Sequence, residues 1–201
     1  MRERENVAQV AALKPDYMGF IFHPPSPRDV SKVLQKEIVD LLPKEIEPVA
    51  VFVNEDLDVA LKILKIFGFK HAQLHGKESV EYCAEIKKAG FGVFKVFSVD
   101  ESTDFSEMEK YMEVADYFLF DTKSPKHGGT GQKFDWNLLE KYTLPKPVLL
   151  SGGIGPEDLI LIQNIMKNYS FIYGLDLNSR FEIEPGLKDV AKLKLFLGSL
   201  L

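Results

Sequence analysis

The sequence contains one cysteine, Cys83, so no disulfide can form within the chain and a reducing compartment is expected. No apolar run approaches the roughly 18 residues that a membrane-spanning helix requires, and the first five residues are too charged for a secretory signal. The net charge is −5 with both signs interspersed, so the sequence carries no basic stripe or basic amphipathic segment. These absences predict a cytoplasmic protein without nucleic-acid or membrane partners, and they name no function.

Motifs for metals and nucleotides are also scarce. The four histidines show no metal-ligand spacing, and with a single cysteine no zinc site is expected. The glycines at 128, 129 and 131 are followed by Gln-Lys rather than by the Lys-Ser/Thr of a Walker loop. Cys83 shares one helical face with Val80, Ala84 and Ile86, so we interpret it as a packing residue rather than a nucleophile.

The chain alternates between segments of strand length and helical patterns. Its 201 residues suit one domain, and at 45% hydrophobic residues it can bury a sizeable core. Alternation at intervals of roughly 20 to 30 residues predicts βα units and a parallel sheet. The predicted strands are 17–22, 48–53, 69–74, 91–97, 117–120, 147–150 and 171–175. The predicted helices are 1–14, 31–42, 57–67, 79–89, about 105–114, 136–142, 156–167 and 187–197.

This pattern predicts an α/β fold of the TIM (β/α)8 barrel type, in a single domain spanning residues 1–201. The competing architecture is a doubly wound open sheet, which is disfavoured because no G-x-G-x-x-G follows the first strand. Only seven strands accompany the predicted helices, and the first helix has no strand before it. A barrel lacking one strand would leave unpaired backbone groups on the neighbouring strands.

Asp121 follows the apolar run 117–120 and precedes a long glycine-bearing loop. In a barrel, the carboxyl ends of the strands and the loops after them form the active site. A carboxylate at this position therefore indicates a catalytic residue beside an active-site loop, and the alternative is a solvated Asp in a surface turn.

Two later loops have the composition of an anion site. Gly152 and Gly153 lie between a strand and a helix, where backbone N–H groups and the helix N-terminus favour an anion. The next loop supplies Asp176, Asn178 and Ser179. Loops after the seventh and eighth strands commonly hold a phosphate in such barrels, whereas the alternative interpretation is a pair of tight turns that need glycine.

Other polar residues occupy strand ends. Arg28 follows a proline-stiffened loop that suits bidentate binding of a carboxylate, although a solvated surface Arg is the simpler interpretation. Gln73 and His75 point to the same side of one strand, where His75 could line a pocket or cap a turn. Lys95 lies inside an apolar strand, for which a structural ion pair is expected.

Taken together, the motifs resemble those of the phosphoribosylanthranilate isomerase family over essentially the whole chain. The matching segments are GFIF with SPR at 19–28, VFVN at 51–54, QLHG at 73–76, FDT at 120–122, GGTG at 128–131, FDW at 134–136, GGI at 152–154 and PGLKD at 185–189. Their order and spacing together make the resemblance specific, whereas any one segment alone would be weak.

The resemblance implies an Amadori rearrangement in tryptophan biosynthesis, carried out in the cytoplasm on a phosphorylated small molecule without a cofactor or metal, by a monomer or a homodimer. It implies Asp121 as the general acid and Arg28 as the ligand of the anthranilate carboxylate. The phosphate would be held by residues of the two anion loops: Gly152, Gly153, Asp176, Asn178 and Ser179. The remaining substrate-binding candidates are Gln73, His75 and Gly129.

The sequence departs from the family pattern in two places. The loop that usually reads Ser-Ser-Gly is Asn178-Ser179-Arg180. The family's general base, a cysteine in a Lys-x-Cys-Gly segment at the end of the first strand, would precede Met1. We therefore expect a truncated product with little activity as written. The alternatives are another sugar-phosphate barrel isomerase, which typically uses paired aspartates, or a catalytically impaired barrel that binds a phosphate ligand.

Overall fold

A computed structural model describes residues 1–122 and 136–200. Its main sheet has seven parallel strands in sequence order. The strands are β1 (Tyr17–Phe22), β2 (Glu47–Phe52), β3 (His71–Leu74), β4 (Gly92–Val99), β5 (Tyr117–Thr122), β6 (Val148–Leu150) and β7 (Ile172–Leu175). Because every neighbouring pair is parallel, the carboxyl ends of all seven strands, and hence the loops that follow them, lie on the same rim.

Helical segments connect these strands on the outside. The α-helices are α1 (Arg4–Ala11), α2 (Lys36–Val39), α3 (Leu57–Phe67), α4 (Val80–Lys88), α5 (Leu159–Asn168) and α6 (Val190–Leu200). Short 3₁₀ helices span Phe105–Tyr111, Trp136–Lys141, Pro156–Asp158 and Ser179–Phe181. A small antiparallel hairpin of β8 (Glu182–Glu184) and β9 (Leu187–Lys188) follows β7 and precedes α6.

The sheet is curled into a half-barrel. The rings of Tyr17 on β1 and Tyr117 on β5 lie 6.2 Å apart between centroids, although three strands separate β1 from β5 in the sheet. Tyr117 also contacts Tyr173 on β7, at 5.0 Å. These contacts require the inward faces of distant strands to approach each other. A buried apolar cluster fills this interior: Val49, Phe94, Val96, Leu119 and Leu149.

The second and larger core lies between the sheet and the outer helices. Helix α3 illustrates how local sequence builds this layer. The Asp56 side chain accepts hydrogen bonds from the first turn of the helix, and Gly68 ends the helix with a left-handed φ of 74°. Ala60 and Leu64, four residues apart on one face of the helix, are fully buried against the sheet side.

Among the described residues, β1 and β7 are edge strands without backbone pairing to each other. Side chains link the two edges instead. Arg28, after β1, forms an ion pair with Glu182 of β8, and Arg2 donates to the carbonyl oxygens of both Pro27 and Pro185. The open side of the half-barrel is therefore bridged at its rim by polar contacts rather than by a sheet ladder.

Most predicted elements differ from the structure in their bounds, and the predicted helices at 105–114 and 136–142 form 3₁₀ helices. Three further differences are the most consequential. Residues 31–42 form turns and the single-turn helix α2, and residues 187 and 188 belong to β9 rather than to the last helix, which begins at Val190. Strand β5 continues through Asp121 to Thr122, so Asp121 lies within the strand tip and not beyond it. Within the described parts of the chain, we find no helix of sufficient length and apolarity to cross a membrane.

Candidate active site

Asp121 and His75 meet at the carboxyl rim of the half-barrel. The Nε2 atom of His75 lies 3.1 Å from Oδ2 of Asp121, and both side chains are largely buried. Asp121 shares the inward face of β5 with Tyr117 and Leu119, which line the interior cluster. The carboxylate at the tip of β5 therefore faces the interior of the half-barrel, together with an imidazole that can exchange a proton with it.

The loop after β3 holds His75 in place. Its backbone N–H donates to the carbonyl oxygen of Phe52 on β2, and its Nδ1 lies 3.5 Å from Nε2 of Gln73. Gln73 and His75 alternate with Leu74 along the chain and lie on the same side, as the sequence predicted, and the structure shows that this side faces the interior. Gln73 is buried beside the imidazole and restricts its orientation.

A buried ion pair supports this loop from the helix side of the sheet. Lys95 on β4 lies 3.0 Å from Glu78, as expected for a lysine in an apolar strand, and it also donates to the carbonyl oxygens of Leu74 and Gly76. The Glu78 carboxylate accepts the backbone N–H of Asn54 and of Gly76. These bonds tie the carboxyl ends of β2 and β3 to the middle of β4, beside the loop that begins at His75.

Asp176 lies across the rim from His75, after β7. Its carboxylate accepts a hydrogen bond from the Ser151 hydroxyl at 3.3 Å. Burial raises the pKa of Asp176, and the negative charge of Asp121 adds to that effect. The backbone N–H of Asp176 donates to Leu150 in the sheet, so it is not a free donor for an anion. The structure thus brings Asp121, His75 and Asp176 into one electrostatically coupled group.

The loop after β6 contains two glycines in left-handed backbone conformations. Gly152 and Gly153 both adopt positive φ values, 90° and 70°, which side chains would strain. The loop leads into the 3₁₀ helix Pro156–Asp158, and the Asp158 carboxylate caps it by accepting the N–H of Gly155 at 2.8 Å. The backbone turns tightly here, at the carboxyl rim where the sequence predicts an anion site.

The neighbouring loop brings Asn178 and Ser179 to the same rim, where the short 3₁₀ helix Ser179–Phe181 begins. Arg180, which stands in place of the family's glycine, forms an ion pair with Glu157 at the start of the preceding helical segment. This departure from the family pattern therefore links the two predicted anion loops through their side chains.

Arg28 lies on the other side of the open edge. Its Nε and Nη2 atoms both donate to one Glu182 carboxylate oxygen, at 2.8 and 2.6 Å. Lys188 lies 3.2 Å from the other oxygen and donates to Asn178 at 2.8 Å. Burial by itself would raise the pKa of Glu182, but the hydrogen bonds from Arg28 and the charge of Lys188 hold it below its usual value.

Sequence reasoning missed three residues of this site: Ser151, Glu182 and Lys188. Lys188 lies in the PGLKD segment that matches the family, but its contacts, like those of Ser151 and Glu182, arise from tertiary packing that no local pattern reveals. Gly129, predicted to bind substrate, lies outside the described residues. Cys83 is fully buried in the helix layer, and burial raises the pKa of its thiol to about 11, which agrees with a packing role. In the described ranges, no group of three His, Cys, Asp or Glu side chains could hold a metal ion.

A curled parallel sheet with an acidic side chain at one strand tip and a glycine-bearing loop after another strand is the layout of (β/α)8-barrel enzymes. The family model of N-(5'phosphoribosyl)anthranilate (PRA) isomerase matches residues 1–199. The chain belongs to this family, whose members are isomerases of tryptophan biosynthesis.

Named relatives agree with this assignment. The chain is 42% identical over 200 residues to the N-(5'-phosphoribosyl)anthranilate isomerase of Phocaeicola vulgatus, covering 100% of this chain and 94% of the relative. It is 40% identical over 202 residues to that of Parabacteroides distasonis, covering 100% and 90%.

Solved structures agree as well. A phosphoribosyl anthranilate isomerase in complex with reduced 1-(o-carboxyphenylamino)-1-deoxyribulose 5-phosphate superimposes with a TM-score of 0.82 at 27% identity, covering 100% of this chain and 94% of the other. Monomers derived from the dimeric enzyme of Thermotoga maritima give 0.81 at 27% identity, with 100% and 94% covered.

Proposed function

We propose that the chain converts N-(5'-phosphoribosyl)anthranilate to 1-(2-carboxyphenylamino)-1-deoxyribulose 5-phosphate, with Asp121 as the general acid. The observation that carries this assignment is the contact between Asp121 and His75 at the inward-facing rim, 3.1 Å apart. A partly buried carboxyl group beside an imidazole can deliver a proton and be reprotonated without large movements.

The reaction needs no redox partner because it only relocates protons and bonds within one molecule. Asp121 donates a proton to the ribose ring oxygen as the C1–O bond breaks, which leaves a Schiff base between C1 and the anthranilate nitrogen. A base removes the proton on C2, and the electron pair forms the C1=C2 bond of an enolamine. Protonation at C1 and loss of the hydroxyl proton at C2 then give the ketone.

The two ends of the substrate carry negative charge, and the site offers complementary groups at two places. Gly152, Gly153, Asn178 and Ser179 are suited to the phosphate through backbone and amide donors. Among the described residues, Nη1 of Arg28 has no hydrogen-bond partner, so the outer edge of the guanidinium remains for the anthranilate carboxylate while Glu182 occupies the inner edge. Gln73 and Gly129 complete the proposed substrate contacts.

The general base that removes the C2 proton is the remaining catalytic group. By the resemblance it is a cysteine at the tip of a strand preceding α1, and the single cysteine of this sequence, Cys83, is buried elsewhere. We propose that this strand would lie between β7 and β1, whose facing edges carry no ladder within the described chain. It would complete a single (β/α)8 barrel domain.

The test compares the 201-residue chain with one extended by the in-frame upstream segment. Loss of anthranilate fluorescence on a phosphoribosylanthranilate substrate reports turnover. The extended chain should turn over faster by about 10²–10⁴-fold, the usual contribution of a general base. A third chain, extended but with serine in place of the new cysteine, fills the gap without supplying the base and should remain slow.

Each other outcome has a definite meaning. Equal rates for the cysteine and serine extensions would exclude the cysteine as the base. An unextended chain as fast as the extended one would locate the base within the 201 residues, with Asp176 as the next candidate. An upstream sequence that encodes no Lys-x-Cys-Gly segment would contradict the proposed first strand.

We further propose that the protein acts in the cytoplasm on this phosphorylated small molecule, as a monomer or a homodimer, without nucleic-acid or membrane partners. The single buried cysteine and the net charge of −5 support this proposal. Sedimentation of the purified protein distinguishes the two oligomeric states.

A further inference from the structure

A continuous chain of polar side chains joins the two proposed substrate-binding regions. Arg28 donates to Glu182 through Nε and Nη2, at 2.8 and 2.6 Å. Glu182 accepts from Lys188 at 3.2 Å, and Lys188 donates to Asn178 at 2.8 Å. The proposed carboxylate ligand and the proposed phosphate loop are thus connected through one lysine, across the open edge between β1 and β7.

The charges of this chain are nearly inaccessible to solvent. The side chains of Arg28, Glu182 and Lys188 are 12%, 4% and 10% exposed. These three side chains carry two cations and one anion, and the nearby Asp176 carboxylate supplies a further counter-charge to Lys188. The substrate proposed above supplies anionic groups at both ends of this chain.

The backbone of Lys188 is fixed from a distant part of the sequence. The buried amide of Asn6 in α1 accepts from the N–H of Lys188 at 2.8 Å and donates to its carbonyl oxygen at 2.9 Å. Such a two-point clamp on a two-residue strand holds the lysine in a defined position. The clamp sets the direction from which the ammonium group reaches both Glu182 and Asn178.

We propose that Lys188 is a positioning residue that couples the two ends of the site, so that a ligand bearing both a carboxylate and a phosphate is bound more tightly than either group alone predicts. This inference rests on the proposed function for the assignment of the two ends. Lys188 acts through its neighbours: it orients Glu182, which sets the plane of the Arg28 guanidinium, and it orients the amide of Asn178 in the phosphate loop.

The test measures binding rather than turnover. The reduced product analogue, which carries both anionic groups, is titrated calorimetrically into the 201-residue chain and its variants. Lys188→Met should weaken binding by about 10- to 100-fold, because it removes a buried charge that organises both ends. Lys188→Arg keeps the charge and should remain within about tenfold. As a control, Lys87→Met removes the exposed lysine of the surface pair Lys87–Asp116 and should leave affinity unchanged.

Competition by single-group ligands tests the coupling itself. Inorganic phosphate and anthranilate each displace the analogue from one end. Arg28→Lys should weaken competition by anthranilate and leave competition by phosphate unchanged. Asn178→Ala should weaken competition by phosphate and leave competition by anthranilate unchanged. Lys188→Met should weaken competition by both ligands. A Lys188→Met effect confined to one competitor, or unchanged analogue affinity, would overturn the inference.

Two further outcomes are distinguishable from these. Failure of the unaltered chain to bind the analogue would contradict the proposed function itself, not only the role of Lys188. If Lys188→Met does not fold, Glu182→Gln supplies the same test, since it interrupts the chain next to Arg28. Coupling through Lys188 predicts that this variant weakens competition by phosphate as well as by anthranilate, and a loss confined to anthranilate would then reject the coupling.

Discussion

Residues 1–122 and 136–200 contain two buried lysine–glutamate pairs with similar geometry and different surroundings. Lys95 and Glu78 lie 3.0 Å apart on the helix side of the sheet, and Lys188 and Glu182 lie 3.2 Å apart at the rim between β7 and β1. The first pair is almost completely enclosed, and the second is slightly more accessible.

Their partners differ in kind. All three donors of Lys95 are used by Glu78 and by the backbone carbonyls of Leu74 and Gly76, so this group is neutral and closed. The partners of Lys188 are side chains proposed to bind substrate or to orient those that do. We infer that the first pair maintains structure below the acid, whereas the second prepares the site for an anion.

The largest expected effect is on catalysis at Asp121, whose partner His75 follows the strand end that Lys95 supports. Asp121→Asn removes the proposed proton donor and should lower kcat by about 10²–10⁴-fold, with the melting temperature nearly unchanged. Kinetics of the upstream-extended chain, followed by anthranilate fluorescence, measure it. A kcat within tenfold of the unaltered protein would exclude Asp121 as the general acid.

The next effect is on stability. Lys95→Met leaves the Glu78 carboxylate buried without a counter-charge and should lower the free energy of unfolding by about 3–5 kcal/mol. Urea denaturation followed by circular dichroism measures this loss. The matched double variant Lys95→Met with Glu78→Gln removes both charges and should recover part of it. A double variant less stable than Lys95→Met alone would contradict the account.

Lys188→Met should cost less, about 1–2 kcal/mol, although it removes a similar pair. Arg28 still balances Glu182 in this variant, and burial already lowers the pKa of Lys188, so the charged lysine is itself poorly accommodated. The same urea experiment compares the two lysines. Equal losses for Lys95→Met and Lys188→Met would remove the distinction between the two pairs.

A smaller effect concerns pH. Burial raises the pKa of Asp176 above its ordinary value of 3.8, so the folded state holds this proton more tightly than the unfolded state. The resulting stabilisation is present below pH 3.8 and is lost as the pH rises through the folded pKa. Asp176→Asn should therefore increase stability near neutral pH and flatten this part of the pH profile. Thermal melts across the acidic to neutral range measure this change. A variant whose stability still fell with rising pH as much as that of the unaltered protein would contradict the prediction.

The smallest effect is expected at Cys83, on the helix side near Lys95. Burial raises the pKa of its thiol to about 11, so iodoacetamide at neutral pH should modify it only after unfolding. Mass spectrometry of native and urea-treated protein measures the modification. Rapid labelling of the folded chain would show that the helix layer is more open than the structure indicates.

The sequence predicted elements well where local signals agreed with packing. The bounds of β1 and α3 are as predicted, since β1 is an apolar run and α3 has the Asp56 cap and Gly68 at its ends. The predicted helix at 31–42 is wrong. This segment forms turns, and only the single-turn helix α2 (Lys36–Val39) forms within it. The hairpin of β8 and β9 was missed because each strand is too short to give a periodic signal.

The site residues likewise divide into those with a local sequence signal and those without one. Asp121, Gln73 and His75 could be singled out because they lie at strand ends and alternation places Gln73 and His75 on one side; the contact between Asp121 and His75 appears only in the structure. Glu182 and Lys188 could not, since their importance depends on pairing with Arg28 and on the clamp by Asn6, more than 150 residues away in sequence. Tertiary charge networks of this kind leave no local pattern.

The most direct measurement is the affinity of the reduced product analogue for Asp121→Asn and Lys188→Met, determined side by side by calorimetry. The account predicts that Asp121→Asn keeps the affinity within about tenfold, because the acid acts before this product state, and that Lys188→Met loses about 10- to 100-fold. A larger loss for Asp121→Asn than for Lys188→Met would contradict the separation of chemistry from ligand binding between the two sides of the site.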